Sequence, residues 1–274
     1  MVAKYERIAN NLRANVRNGT FQPGDQLPGE QALMAEYAVS LPVVRQALDL
    51  LESEGLVDRV HGRGTYVRTP RQRIRRTPER YQWEKDRTVL PENQRRRTGS
   101  IERDTGLTMA DLQFHAEYCT VPANQDLAST FQVPPGAKLL QRIYRTRPKS
   151  EKAPLNLINS YLLYDMAAEN QALLDASNEP WPGGTNHQLL TIGIELDRIV
   201  DHITTRPPGP EEIEELALSP GVAVFILRKV SFDTDGQVVE VSDVVLPGDR
   251  TEFVYTTKLN RWPDSTIEHR HKVR

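Results

Sequence analysis

The chain has 274 residues, of which 38% are hydrophobic and 7% aromatic, and its formal net charge is −2. That length suits two domains rather than one, and a mean hydropathy of −0.56 describes a polar surface over an ordinary core. No run of about 18 apolar residues is present to cross a bilayer, no apolar stretch follows Met1, and one cysteine, Cys119, excludes an intrachain disulfide, so a cytoplasmic protein is expected.

In chain order, Tyr5 to Arg17 places Ile8, Leu12 and Val16 at i, i+4 spacing, an amphipathic helix stopped by Asn18-Gly19. Glu30 to Tyr37 forms a second helix with Leu33 and Tyr37 inward. A tight turn through Val39-Ser40 leads to a third. There Ser40 is the N-cap, its hydroxyl expected to accept from a first-turn amide. Pro42 sits in that turn, where a missing donor costs little. Val44, Leu48 and Leu51 make the core stripe and Gly55 the stop. Arg45 lies off the stripe, where a recognition helix meets base edges. Val57–Val60 and Thr65–Val67 then flank a tip, His61 to Gly64, in which Gly62 and Gly64 permit positive φ. Such a tip reaches phosphate or the minor groove. A small helical domain with a solvated arginine is the plain alternative; the hairpin argues for a winged helix-turn-helix over residues 1–69, with double-stranded DNA as partner.

Residues 70–97 show no apolar period, and Pro70, Pro78 and Pro91 break any helix, so a basic linker is expected, with Tyr81 and Trp83 docking on a neighbouring surface. From Arg71 to Arg97 ten basic side chains face four acidic ones, +6 in all; residues 1–70 balance, which leaves −8 for residues 98–274. A basic segment ahead of an acidic domain suits a tether close to DNA, and a solvated tether is the alternative.

The second half repeats itself. Pro122 and Pro207 lie 85 positions apart, as do Pro135 and Pro220, and Gly136 and Gly221. Each copy reads as strand, short helix, Pro-Gly turn and two longer strands, together an α+β domain with one antiparallel sheet over residues 98–262, before a tail at 263–274. A helical insert, Asp165 to Ile192, separates the copies, and a gap between such halves suits a small ligand. Cys119 reads as a small strand residue, and His115 and His202 as structural. No paired His/Cys spacing supports a metal, no cofactor is expected, and no nucleophile or acid/base pair supports an enzyme.

The first domain resembles the winged-helix domain of the GntR family of bacterial transcription regulators. The resemblance rests on Gly24-Asp25-Gln26-Leu27-Pro28-Gly29-Glu30, Tyr37-Ala38-Val39-Ser40, Val44-Arg45-Gln46-Ala47-Leu48 and Gly62-Arg63-Gly64-Thr65-Tyr66-Val67. It implies DNA contacts from Ser40, Arg45, His61, Gly62 and Arg63, with Gln31, Leu41 and Pro42 on the same surface. Leu41 stands where the family usually has a DNA-contacting arginine, and Gly29 where it has a capping serine. A leucine at 41 touches a thymine methyl or reads no base.

The second domain resembles the UTRA ligand-binding domain of the family's HutC branch, on Arg142-Ile143-Tyr144-Arg145-Thr146-Arg147, Ser160-Tyr161, Ile192-Gly193-Ile194, Glu240-Val241-Ser242 and Asp249-Arg250. The fold implied is that of chorismate lyase. Carried across, Arg145 and Arg147 would hold an anionic effector group, with Thr185, His187 and Glu240 lining the same cavity. Ile158 and Leu246 are apolar where relatives have an acid and a tyrosine, which points to a more hydrophobic effector than a sugar phosphate. The resemblance implies a homodimeric repressor that reads a short inverted repeat and is modulated by a small molecule. An effector-independent repressor of the plasmid-transfer type is the first alternative and a chorismate-lyase-like enzyme the second.

Overall fold

The computed structural model describes residues 3–261 except 70 and 72; the tail expected at 263–274, and Pro70, lie outside the described residues. The first unit comprises α1 (Lys4–Arg17), α2 (Glu30–Tyr37), α3 (Leu41–Ser53) and a hairpin of β1 (Val57–Val60) and β2 (Gly64–Val67). Ile8, Leu12, Leu33, Val44, Leu48 and Leu51 close its core, and burial of each such side chain is worth roughly 1.5–3 kcal/mol. Arg13 clips α1 to the end of α3, donating to both carboxylate oxygens of Glu54 at 2.7 and 2.5 Å. Helix α3 stops as expected. Gly55 takes φ +73, its N–H donates to Glu52 O at 2.9 Å and that of Leu56 to Leu51 O at 3.0 Å, the paired bonds of a Schellman end.

Ser40 is the N-cap residue of α3, but its hydroxyl makes no cap bond. The reason is local. The second helical position is Pro42, which has no N–H, and the N–H of Val43 already donates to Ser40 O at 3.1 Å. Both amides that the hydroxyl would serve are removed, and it is left exposed.

Residues 73–97 are no irregular tether. They contain β3 (Ile74–Arg76), α4 (Glu79–Arg87) and α5 (Glu92–Arg95), followed by α6 (Ser100–Thr105). Pro78 and Pro91 sit at the N-caps of α4 and α5, where a proline starts a helix instead of breaking one. The apolar period is missing because α4 packs through polar and aromatic groups. Arg80 is buried and pairs with Asp104 at 2.5 Å and Glu84 at 3.2 Å. The guanidiniums of Arg87 and Arg103 both stack on Trp83, each 4.8 Å from a ring centroid. Tyr81 docks as expected, donating to Asp201 at 2.8 Å.

The remainder runs β4 (Leu112–Pro122), α7 (Gln125–Phe131), β5 (Lys138–Pro148), β6 (Leu157–Leu163), α8 (Tyr164–Ala167), α9 (Gly184–Leu190), β7 (Leu196–Arg206), α10 (Pro210–Glu215), β8 (Val224–Asp233), β9 (Val238–Pro247) and β10 (Thr251–Phe253). Strands pair as one antiparallel sheet, β4-β5-β6-β9-β8-β7. The two repeats are its halves, and they meet where β6 pairs with β9, Ser160 opposite Ser242. Leu139 packs on α7, and Arg145 reaches Glu215 of α10, so α7 and α10 cover one face. The neighbouring Leu140 packs with Leu189 of α9 on the other, as strand alternation requires.

Two contacts among several tie the first unit and the segment after it to the sheet domain. Strand β3 pairs in parallel with β10, Ile74 opposite Thr251, with Ile74 N–H donating to Arg250 O at 2.8 Å and Val254 N–H to Arg76 O at 2.9 Å. The second is the Pro-Gly turn of the second repeat, which abuts the end of α3. Arg68 donates to Pro220 O at 3.2 Å. A Cβ on Gly221 would collide with the Ser53 carbonyl and lie 3.3 Å from Gly55 N.

Candidate nucleic-acid interface and effector cluster

One concave surface on the first unit gathers Gln31 from α2, Ser40 at the turn, and Leu41 and Arg45 from α3. Pro42 is exposed beside them. The turn is tight because Ala38 adopts left-handed backbone, φ 51. Arg45 is exposed, and its guanidinium is held by Glu30, with Nε donating to Oε1 at 3.1 Å and Nη2 to Oε2 at 3.2 Å. The pairing holds the Glu30 carboxyl below the usual carboxylate range.

The wing tip is braced from below. Gln26 Nε2 donates to Arg63 O at 2.9 Å, and Tyr66 OH to the same oxygen at 3.1 Å. Gly62 (φ 70) and Gly64 (φ 122) use the freedom expected of them. His61, Gly62 and Arg63 are all exposed.

In the second unit the structure corrects the expected effector residues. Arg145 and Arg147 point away from Thr185, His187 and Glu240, on the face covered by α7 and α10. Arg145 pairs with Glu215 and donates to Ile158 O at 3.2 Å. Arg147 bonds Gln113 and Glu151 O. The pleat separates positions 145 and 147 from 142 and 144, so the arginine under the insert is Arg142.

Arg142 is buried at the centre of a polar cluster. Its Nη1 donates to Gln188 Oε1 at 2.6 Å, and its Nη2 to Ser160 Oγ at 2.6 Å and Glu240 Oε1 at 2.8 Å, with Thr185 Oγ1 at 3.4 Å. Lys229 Nζ meets Glu240 Oε2 at 2.9 Å. Burial alone would raise the Glu240 carboxyl; Lys229 and Arg142 overcome this and hold it at about 2. Beside it, Tyr118, Tyr144 (2.9 Å) and Gln188 Nε2 (2.9 Å) all donate to Glu179 Oε1. Burial pushes the Tyr118 phenol up to about 12, so it stays a neutral donor. Arg142 Nε and Asn186 Nδ2 are buried without a partner. Thr185 and Glu240 both meet Arg142 Nη2. His187 bonds Trp181 instead, its Nδ1 accepting from Nε1 at 2.9 Å. Ile158 and Leu246 lie apart from this cluster, in an apolar patch with Phe225 and Phe253.

The linker touches the same insert. Arg95 Nε donates to Pro182 O at 3.1 Å, three residues from Glu179, and α4 bonds β7 through Tyr81. Among the described residues no group of side chains is arranged to hold a metal ion, and no helix is long and apolar enough to cross a membrane.

The model for bacterial regulatory proteins of the gntR family matches residues 4–67, and that for the UTRA domain matches residues 115–252. The chain belongs to the GntR family. This GntR-family chain is 31% identical over 257 residues to an uncharacterised HTH-type transcriptional regulator of Rhizobium meliloti, covering 92% of the chain and 94% of the relative. It is 24% identical over 252 residues to the HTH-type transcriptional repressor NagR of Bacillus subtilis, covering 92% and 93%. A solved GntR-family transcriptional regulator superposes with a TM-score of 0.63 at 23% identity, over 94% of this chain and 98% of its own, which supports the fold. PhnF from Mycobacterium smegmatis gives 0.51 at 22% identity, over 94% and 100%. The pairing of winged helix and UTRA domain is the one expected of the HutC branch, and the GntR-family chain is a DNA-binding transcriptional regulator.

Proposed function

We propose that this regulator is a dimeric repressor whose grip on a short inverted repeat is adjusted by a small molecule bound under the insert of the second domain. The single observation that carries the DNA half is the grouping of Gln31, Ser40, Leu41 and Arg45 on one exposed surface of α2 and α3, in the same small domain as the exposed tip His61-Gly62-Arg63. In this reading Arg45 and Leu41 meet base edges in the major groove. The free Ser40 hydroxyl takes a phosphate, and the wing tip reaches the flanking backbone or minor groove. Repression is the role of the relative NagR of Bacillus subtilis, a transcriptional repressor.

The effector half rests on the Arg142 cluster. Its unpartnered Arg142 Nε is a donor, which suits a ligand with an acceptor oxygen. A ligand there acts only by binding one dimer geometry better than another. Arg95 and Tyr81 supply a direct route from the insert and the sheet to the segment that follows the wing. One observation favours the effector-independent reading: Arg142, Ser160, Gln188 and Glu240 already hydrogen-bond one another. Fluorescence anisotropy with an inverted-repeat duplex and a scrambled duplex of equal length tests the DNA half. Equal affinity for both would count against it. A metabolite screen read by melting temperature tests the effector half; stabilisation by an anion-bearing compound in the wild type but not in Arg142→Met is the result expected.

A further inference from the structure

The carboxylate of Glu30 is shared by three elements. It opens α2, grips Arg45 of α3 and accepts from Arg59 Nη2 of β1 at 3.3 Å, while Arg59 Nη1 also pairs with Asp49 one turn along α3. The grip on Arg45 is directional. Glu30 occupies the Nε/Nη2 edge of the guanidinium, leaving the N–H groups of the Nη1/Nη2 end free. That end carries two parallel donors, the geometry that pairs with O6 and N7 of a guanine in the major groove. A free arginine offers a base either edge in many rotamers, whereas one buttressed by a carboxylate presents a single end in a single direction.

The geometry points to Glu30 as a specificity-determining positioning residue: it fixes Arg45 so that its terminal edge reads one guanine of the operator. This rests on the DNA-binding reading above. Exposed ion pairs add little to stability, so a fold-stabilising role accounts poorly for a carboxylate placed on the DNA-facing surface. An acid there repels the phosphate backbone unless it serves selectivity, and its two arginine partners offset that repulsion.

The full chain is used to select duplexes from a random-sequence pool. The enriched duplex is then compared with versions in which each G·C pair becomes A·T, or each guanine becomes 7-deazaguanine, for wild type, Arg45→Ala, Glu30→Ala and Glu30→Gln. Glu30→Ala is expected to fold with little change in Tm and to bind scrambled DNA as tightly as wild type or more tightly. It should lose about tenfold or more of its discrimination at one guanine, the position at which Arg45→Ala is also blind, and should no longer respond to N7 deletion there. Glu30→Gln, which keeps one acceptor, should lie between. If Glu30→Ala instead strengthens binding to every duplex by the same factor and leaves the base profile intact, the residue acts only as a charge and the inference fails. If the wild type enriches no sequence, the DNA-binding reading fails first and the inference with it.

Discussion

Arg142 donates to Glu240 at 2.8 Å and so ties the first repeat to the second, with both side chains removed from solvent. Taking two charges out of water is expensive, and breaking such a pair leaves one of them uncompensated. Glu240→Ala, which strands both Arg142 and Lys229, is expected to lower stability by about 3–5 kcal/mol in urea titrations. Arg142→Met combined with Glu240→Leu should recover most of that loss, because Lys229 is close enough to the surface to return to solvent. If the double variant is no better than the single, the cluster is held by something other than charge pairing.

Gly136 and Gly221 occupy equivalent Pro-Gly turns with φ of 86 and 75, so alanine strains either by a similar amount, about 1 kcal/mol. Nothing lies within 4 Å of a Cβ at 136, whereas one at 221 strikes the backbone of Ser53. Gly221→Ala alone should open the contact between the end of α3 and the sheet domain. The measurement is proteolysis of the connection near residues 69–73, together with hydrogen exchange at Gly55 and Leu56. Equal protection in the two variants would remove the turn as a joint between the units.

The wing and the recognition helix should fail differently. Arg63→Ala is expected to weaken binding to all duplexes alike and to reduce the slope of log affinity against log salt by about 1, as the loss of one phosphate contact does. Arg45→Ala should instead relax preference at one base pair with the salt slope nearly kept. Anisotropy titrations at several salt concentrations separate the two.

His187 accepts a hydrogen bond from Trp181 through Nδ1, which requires that nitrogen to be unprotonated. Burial and the nearby Arg95 lower its pKa from 6.5. A histidine whose folded value is depressed contributes stability that is present above its unfolded value and is lost as pH falls through the folded value. The loop from Glu179 to His187 should therefore loosen below about pH 6.5. Tryptophan fluorescence followed from pH 8 to 5 should show a transition that is absent in His187→Gln; a transition that persists in the variant assigns it to another group.

The winged helix was legible because its determinants are local. The Gly55 stop, the Gly62 and Gly64 tip and the Val44, Leu48 and Leu51 stripe each act within a few residues, and all took the expected form. Ser40 failed as a cap for an equally local reason that the sequence displays, the proline two positions on. The repeat was legible because spacing survives duplication. Helices α4 and α5 were not, since their buried contacts are Arg80 to Asp104 and Arg95 to Pro182 O, and nothing in an arginine announces that its charge will be met. The choice between Arg142 and Arg145 depended on the phase of β5. The strand reads hydrophobic at both Leu139 and Leu140, so its two faces look alike until α7 and α9 are seen to cover them separately.

The parallel pairing of Ile74–Arg76 with Thr251–Phe253 bears on how the sheet domain is to be isolated. Its boundary in space precedes its boundary by homology. A recombinant piece beginning at residue 98 or 115 would discard the partner of its last strand, the Tyr81 anchor on β7 and the Arg95 brace on the insert. Such a piece would present an unpaired edge and bare the apolar patch around Leu246 and Phe253, and aggregation would follow. Excision ahead of Ile74 keeps those groups together.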